Sequence, residues 1–248
     1  MDSQYENGVY NMKRKDLKIS IVTVSFNCVN DIEATILSVL EQEYSNIEYI
    51  IIDGGSIDGT VDIINKYSDR IDYFISEKDS GIYDAMNKGI RFATGNWVNF
   101  MNAGDTFVNK NVLNNITFDQ YSSYALLYGN KMEKDIVMYP MSIEVLKSGI
   151  IMACHQSMFF NKSILKSELI YDTKYLIYGD YELVNKIFYN KYKIKYLDIE
   201  IANFAGDGIS SVVSTQKRKD KYYIVNKYYG LPGIVKSILY RFFYKGNV

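Results

Sequence analysis

Trp97-Val98-Asn99-Phe100-Met101-Asn102-Ala103-Gly104-Asp105 is an apolar run that stops abruptly at an asparagine, two small residues and a carboxylate. A buried strand followed by a short acidic turn puts Asp105 at the carboxyl edge of a sheet, where open α/β folds bind their ligands. That position makes Asp105 a candidate for a metal or phosphate-linked site. Asn, Gly and Asp also favour turns for purely local reasons, so this stretch by itself leaves an ordinary turn open.

The chain before it repeats one unit. Ile19 to Ser25 is a β-branched run of the kind that forms a strand buried on both faces of a parallel sheet. Asn30 with Glu33 three residues on predicts a capping-box start to a helix striped by Ile32, Ile36, Leu37 and Leu40. Ile47 to Ile52 predicts a second strand ending at Asp53. Gly54 to Gly59 then turns into a helix carrying Val61, Ile63, Ile64 and Tyr67. Ile71 to Ser76 predicts a third strand, Gly81 to Thr94 a helix closed by Gly95, and Trp97 to Met101 a fourth strand. Alternation of this kind implies right-handed crossovers and a mainly parallel central sheet flanked by helices.

After Asp105 the pattern loosens. Tyr124 to Tyr128, Ile136 to Tyr139, Ser157 to Phe160 and Ile194 to Ile201 read as strands, and Ser142 to Lys147 as a short helix. Asp180 opens a helix with Leu183, Val184, Ile187 and Phe188 on its apolar face, and Ser214 to Tyr229 reads as a basic, tyrosine-bearing helix. The expected organisation is a loose tail over 1–16 and one α/β domain over 17–211, followed by a helical extension over 212–248. Within the domain, a regular half over 17–107 precedes an irregular half over 108–211.

Composition bounds the rest. The 248 residues are 48% hydrophobic, enough for a substantial core, and 28 Lys plus Arg nearly balance 29 Asp plus Glu. No overall basic field argues for nucleic acid. Cys28 and Cys154 lie far apart and form no Cys-x-x-Cys pair, which argues for a reducing, cytoplasmic setting and against structural zinc. Met1 to Asp16 is polar with no apolar core, unlike a secretory signal, and Met12 offers an alternative start. No apolar segment approaches the roughly 18 residues needed to span a bilayer.

Three polar loops follow the carboxyl ends of the first, second and fourth strands: Thr23-Val24-Ser25-Phe26-Asn27, Asp53-Gly54-Gly55 and Asn102-Ala103-Gly104-Asp105. In a parallel sheet these ends share one edge, so the loops converge. The chemistry fits a nucleotide. Asp53 can accept from a base N–H, the Thr23 to Ser25 backbone can meet the base edge, and Asp105 can hold a hard divalent cation on a diphosphate.

Ser-Ile-Val-Thr-Val-Ser-Phe-Asn (20 to 27), Ile-Ile-Asp-Gly-Gly-Ser-Ile-Asp-Gly-Thr (51 to 60), Asp-Ser-Gly-Ile-Tyr-Asp-Ala-Met-Asn-Lys-Gly (79 to 89) and Asn-Phe-Met-Asn-Ala-Gly-Asp (99 to 105) together resemble the family 2 glycosyltransferases of GT-A fold. The resemblance covers Lys18 to Phe107 closely and continues more thinly to Ser211. It implies that Thr23, Val24, Ser25, Asn27, Asp53 and Gly54 contact the nucleoside of a nucleoside diphosphate sugar. Asp79, Gly81 and Asn87 would then complete the ribose and sugar side. Asn102, Ala103 and Gly104 would face the donor, and Asp105 would hold Mn²⁺ or Mg²⁺. One departure stands out: Asn102 and Gly104 replace carboxylates found in many members, leaving Asp105 alone in the turn. Protein-only cation affinity should then be weak, with the metal arriving with the donor.

The family's general base is an aspartate in an acidic pair ahead of a helix. Tyr178-Gly179-Asp180-Tyr181-Glu182-Leu183 matches, with Gly179 in place of the first acid, so Asp180 would take the acceptor proton in a single inverting displacement. A simple interaction of Asp180 with its own helix N-terminus is the plainer alternative. His155 and Gln156 stand just before a strand, as His-Gln does in many relatives, and would lie on the acceptor or diphosphate side. Asn203 to Ser211 reads as a loop, or functionally as a flap.

The resemblance implies an acceptor hydroxyl on a lipid-linked saccharide of a surface polysaccharide. The C-terminus adds to this: Ile234, Val235, Ile238, Leu239, Phe242 and Phe243 recur at helical spacing beside Lys236, Arg241 and Lys245. Such a stripe suits a helix lying on an anionic membrane at the inner face of the cell, although core packing or dimerisation would produce it too. Oligomeric state is not legible. A processive synthase is disfavoured, because the chain lacks Gln-x-x-Arg-Trp, its only tryptophan being Trp97. A nucleotidyltransferase would carry a Gly-rich, Arg-containing loop after the first strand, and a dehydrogenase Gly-x-Gly-x-x-Gly there; Phe26-Asn27-Cys28 is neither. The rival from another class is a nucleotide-sugar-binding protein without activity.

Overall fold

The computed structural model describes residues 17–206 and 215–244. The expected tail over Met1 to Asp16, the 207–211 part of the expected flap, Ser214 and Lys245 lie outside the described residues. β1 (Ile19–Ser25) is buried at all seven positions and pairs in parallel with β2 (Ile47–Asp53) and β4 (Trp97–Phe100). β3 (Tyr73–Ser76) extends the parallel array beyond β2. The register sets Ser25 opposite Asp53 and Asp53 opposite Ser76, so three loops leave the sheet at one level.

The linking helices are α1 (Ile32–Leu40), α2 (Thr60–Asn65) and α3 (Ile82–Phe92). The expected capping box at Asn30 does not form. Asp31 precedes the helix and makes no side-chain cap bond, while the N–H groups of Asp31 and Ile32 turn back to the Cys28 carbonyl. That loop is instead tied by residues distant in sequence: Thr60 Oγ1 accepts from Cys28 N and Asp58 Oδ2 from Val29 N. Gly95 is likewise no helix cap, since α3 ends at Ala93 with extended ψ. Its missing side chain lets the backbone pass Ser20, with a Cβ at Gly95 falling 2.6 Å from Ser20 Oγ.

The second half joins the same sheet in a different manner. β8 (Met158–Asn161) runs antiparallel to β4, β6 (Leu126–Glu133) antiparallel to β8, and β9 (Ile194–Asn203) parallel to β6. β5 (Thr106–Phe107) pairs with the end of β9, and β7 (Ile136–Met138) flanks β6. The spatial order is β3-β2-β1-β4-β8-β6-β9-β5. The sheet is therefore parallel through its first four strands and mixed beyond β4. β4 and β5 sit far apart in this order, and the acidic turn bridges the gap between them.

One face of the sheet packs Val22, Val24, Phe100 and Phe160 under α3 and under α5 (Gly179–Tyr189). The other packs Ile19, Ile21, Ile51, Trp97 and Phe159 under α1. A short helix α4 (Lys162–Leu165) follows β8. The last helix, α6 (Thr215–Tyr244), is broken at Gly230 (φ 60°, ψ −158°), one residue before Leu231-Pro232. Its first part buries Ile224 and Val225. No helix among the described residues is long and apolar enough to cross a membrane.

Candidate functional site

Asp53 ends β2 fully buried, and its carboxylate is a hub. Ser25 Oγ and Ser56 Oγ donate to Oδ1 at 2.9 and 2.6 Å, while Gly55 N, Ser56 N and Ser76 Oγ donate to Oδ2 at 3.0, 2.8 and 2.6 Å. Burial alone would raise this carboxyl, but the donors from Ser56, Ser76 and Ser25 outweigh it and hold it below its usual value. Asp53 thereby clamps the loops after β1, β2 and β3. Thr23 lies beneath this floor, its hydroxyl donating to the Met101 carbonyl, and Val24 and Ser25 are buried beside it. Phe26 and Asn27 are exposed, and Asp79 is half-buried. Asn27 (φ +45°) accepts from Ile57 N at Oδ1.

Gly54 and Asp79 are brought together. A Cβ at Gly54 would fall 2.7 Å from Asp79 Oδ2, so the Asp79 carboxylate folds over the glycine, with its other oxygen accepting from Gly81 N. Asn87 is placed elsewhere. It is buried and pairs both ways with the Tyr171 backbone, donating at 2.9 Å and accepting at 2.8 Å, which clips α3 to the second half.

The acidic turn is fixed by Gly104, whose φ of +99° suits glycine, and by Thr35, which accepts from Gly104 N and donates to the Asp105 carbonyl. Asp105 is 6% exposed. Its Oδ2 accepts from Gln156 Nε2, and its Oδ1 from Ala205 N at 3.0 Å. Ala205 reaches it because β5 pairs Thr106 with Asn203. Burial pushes the Asp105 carboxyl up, opposed in part by the Ala205 and Gln156 donors and by His155.

The donor set fits a hard cation in part. Among the described residues, Asn102 Oδ1 and Gln156 Oε1 are buried acceptors without a hydrogen-bond partner; Gln156 bonds the Asp105 carboxylate through its Nε2, and the Asn102 carbonyl accepts from Asp105 N. Among the described residues, no three His, Cys, Asp or Glu side chains group to hold an ion. One carboxylate and two amide oxygens suit Mg²⁺ or Mn²⁺ only when phosphate oxygens and water complete the shell.

His155 and Gln156 lie in one short 3-10 turn, His155–Ser157. Gln156 holds Asp105, and His155 holds the other side. Its Nε2 is 2.7 Å from Asn102 Nδ2 and its Nδ1 is 3.8 Å from Asp180 Oδ2. Asp180 sits in the first turn of α5, where Oδ1 also accepts from Tyr181 N at 2.7 Å. The helix-terminus contact and the approach to His155 are therefore both present.

Tyr83 is the neighbour that sequence reasoning missed. Its hydroxyl donates to the Ile177 carbonyl and lies 3.5 Å from Asp180 Oδ1. Burial, reinforced by the charge of Asp180, pushes that hydroxyl well above its ordinary value, so it stays a donor. Its ring occupies the space beside Gly179, where a Cβ would fall 2.8 Å from three ring carbons. The available signal was the coincidence of Tyr83 in the first turn of α3 with a glycine at the position of the missing acid.

A parallel sheet that turns mixed just past an acidic turn, with a second-half aspartate beside the His155 that meets that turn, has the architecture of the GT-A type. The Glycosyl transferase family 2 model matches residues 20–117. An uncharacterized glycosyltransferase of Mycobacterium tuberculosis is 31% identical over 175 residues, 67% of each chain. The Escherichia coli UDP-Glc:alpha-D-GlcNAc-diphosphoundecaprenol beta-1,3-glucosyltransferase WfaP is 37% identical over 122 residues, 48% of this chain and 49% of WfaP. In fold, the chain resembles S. aureus TarS 1-349 in complex with UDP (TM-score 0.71, 16% identity, 93% of this chain and 74% of that one). It also resembles the Pyrobaculum calidifontis mannosyltransferase PcManGT in complex with GDP-Man and Mn2+ (TM-score 0.63, 16% identity, 91% and 75%). The chain belongs to the family 2 glycosyltransferases and is a glycosyltransferase enzyme.

Proposed function

We propose that the enzyme transfers one sugar, with inversion, from a nucleoside diphosphate sugar to a hydroxyl of a lipid-linked saccharide. The observation that carries this reading is the His155-Gln156 pair, whose adjacent side chains approach Asp180 on one side and Asp105 on the other. Two carboxylates linked through one short turn suit the two ends of a displacement.

Asp180 accepts the proton of the attacking hydroxyl as the new carbon–oxygen bond forms and the bond to the diphosphate breaks. His155 and Tyr83 keep Asp180 oriented. Asp105, with Asn102 and Gln156, would hold a divalent cation, which when bound neutralises charge on the departing diphosphate. The Asp53 hub keeps the base-side loops in place, and Asp79 offers an acceptor to the nucleoside. WfaP, whose name specifies a diphosphoundecaprenol-linked acceptor, supports a lipid-linked acceptor here. UDP and GDP both occur among the structural relatives, so either base is compatible.

The first test is a thermal-shift screen with UDP, GDP, dTDP and CDP, with and without Mn²⁺. One nucleotide should raise Tm, more so with Mn²⁺, whereas Mn²⁺ alone should do little. Asp180→Asn should then retain that shift and lose sugar transfer, and NMR of the wild-type product should show the inverted anomer. Equal turnover in Asp180→Asn would remove the base assignment. Binding without turnover on any lipid-linked acceptor would favour a non-catalytic donor-binding protein.

A further inference from the structure

We propose that the segment of α6 after its break, Leu231 to Phe243, is a docking surface for an anionic lipid bilayer. Leu231, Val235, Ile238, Leu239 and Phe242 follow the i, i+4, i+7, i+8, i+11 spacing that places them on one helix face. That face is uncovered: Leu231 is 73% exposed, Phe242 78%, and the three between them 41–49%, with Phe243 at its edge 72% exposed. The opposite face is committed to the protein. Gly233 and Ser237 are buried, Ile234 packs on the core, and a Cβ at Gly149 would fall 3.1 Å from Ser237 Oγ. Core packing accounts for Ile234 and leaves Val235, Ile238, Leu239, Phe242 and Phe243 uncovered.

Charge selects the occupant. Leu231 to Phe243 contains Lys236 and Arg241 and no acid. At about 100° per residue the two cations fall on opposite flanks of the apolar arc, where long basic side chains reach anionic headgroups while the stripe lies among acyl chains. A two-fold pairing of two copies through this face would repeat the same cationic rims against each other, and Glu144, the acid beside Lys236, is already bridged to Lys147. Because α6 is bonded to α5 through Lys227–Glu182 and Tyr229–Asn185, a docked α6 holds the helix that begins at Asp180 near the lipid surface.

The experiment is co-sedimentation of the full chain with vesicles of phosphatidylglycerol and phosphatidylcholine in equal parts, and with phosphatidylcholine alone. Wild type should partition onto the anionic vesicles and be released by salt. Leu239→Asp with Phe242→Asp should lower the partition coefficient roughly 100-fold, and Lys236→Gln with Arg241→Gln roughly 30-fold on anionic vesicles only. All four positions are exposed, so Tm and nucleotide binding should match wild type and show that the variants fold. Failure of wild type to bind anionic vesicles, or unchanged partition in the Asp variant, overturns the proposal. A wild-type dimer that the Asp variant dissociates also overturns it, in favour of a second copy. None of these readouts needs turnover, so failure here and failure of the proposed activity are distinguishable.

Discussion

Gly179→Ala tests whether Tyr83 fixes the start of α5. The added methyl would sit 2.8 Å from Cδ2, Cε2 and Cζ of Tyr83, where carbon pairs prefer about 3.5–4.0 Å, so ring or helix must move by about 0.7 Å or more. The ring has little room. It is 7% exposed, stacked on Tyr171 at 5.2 Å and tethered by its hydroxyl to Ile177. Overpacking of this kind costs about 1–3 kcal/mol, against a helix-propensity gain of at most about 1 kcal/mol for Ala over Gly. The net destabilisation of up to about 2 kcal/mol should lower Tm by up to about 8 °C in a chain of this size. Because Asp180 is the next residue, kcat should fall by about 10- to 100-fold through misplacement, with nucleotide affinity kept. Differential scanning fluorimetry, calorimetric nucleotide titration and a transfer assay read the three quantities. A Tm at or above wild type with kcat within about twofold would refute the confinement of Tyr83.

Asp53→Asn should lower Tm and nucleotide affinity together, since an amide cannot accept all five donors converging on the carboxylate; loss of affinity at unchanged Tm would instead make Asp53 a direct base contact. Asn87→Ala should cost about 2–4 kcal/mol by stranding the Tyr171 backbone groups while sparing donor affinity in calorimetry. Glu48 accepts from Lys18, Ser20 and Thr94, and although burial would raise its carboxyl, those bonds hold it at about 2 against an ordinary 4.5. A depressed folded value contributes stability that is complete above about pH 5 and lost as pH falls toward 2, worth roughly 3 kcal/mol. Urea midpoints of Glu48→Gln should therefore lie below wild type near neutrality and converge with it at acid pH. A constant gap would contradict the linkage.

Much of the first half was legible because its physics is local. Ile19–Ser25 and Ile47–Asp53 begin and end where β-branched runs meet polar residues, since strands buried on both faces leave little freedom in what they are made of. What escaped depends on pairing between distant residues. Nothing in Ser25, Ser56 or Ser76 announces that all three serve one carboxylate, because serine is common in any loop. The failed capping box at Asn30 is of the same kind: Thr60 and Asp58 compete for the loop from some thirty positions away and win. The pairing of β5 with the end of β9 was equally invisible, two residues being too few to carry a pattern, yet it delivers Ala205 to Asp105.

The thinning of the acidic turn acquires a physical basis from its backbone. Gly104 holds φ +99°, a conformation that strains L-residues, so this tight turn favours glycine over an acid there. The remaining carboxylate is correspondingly better supported. Asp105 is buried and oriented by Gln156 and Ala205, and Asn102 and Gln156, both in contact with it, carry amide oxygens without a partner among the described residues. Burial makes an isolated charge there unfavourable, which a divalent cation would relieve, with phosphate oxygens and water as its further ligands. In the proposed reaction, cation and donor therefore complete one another's site, and the same turn that ties Gln156 to Asp105 keeps His155 beside Asp180.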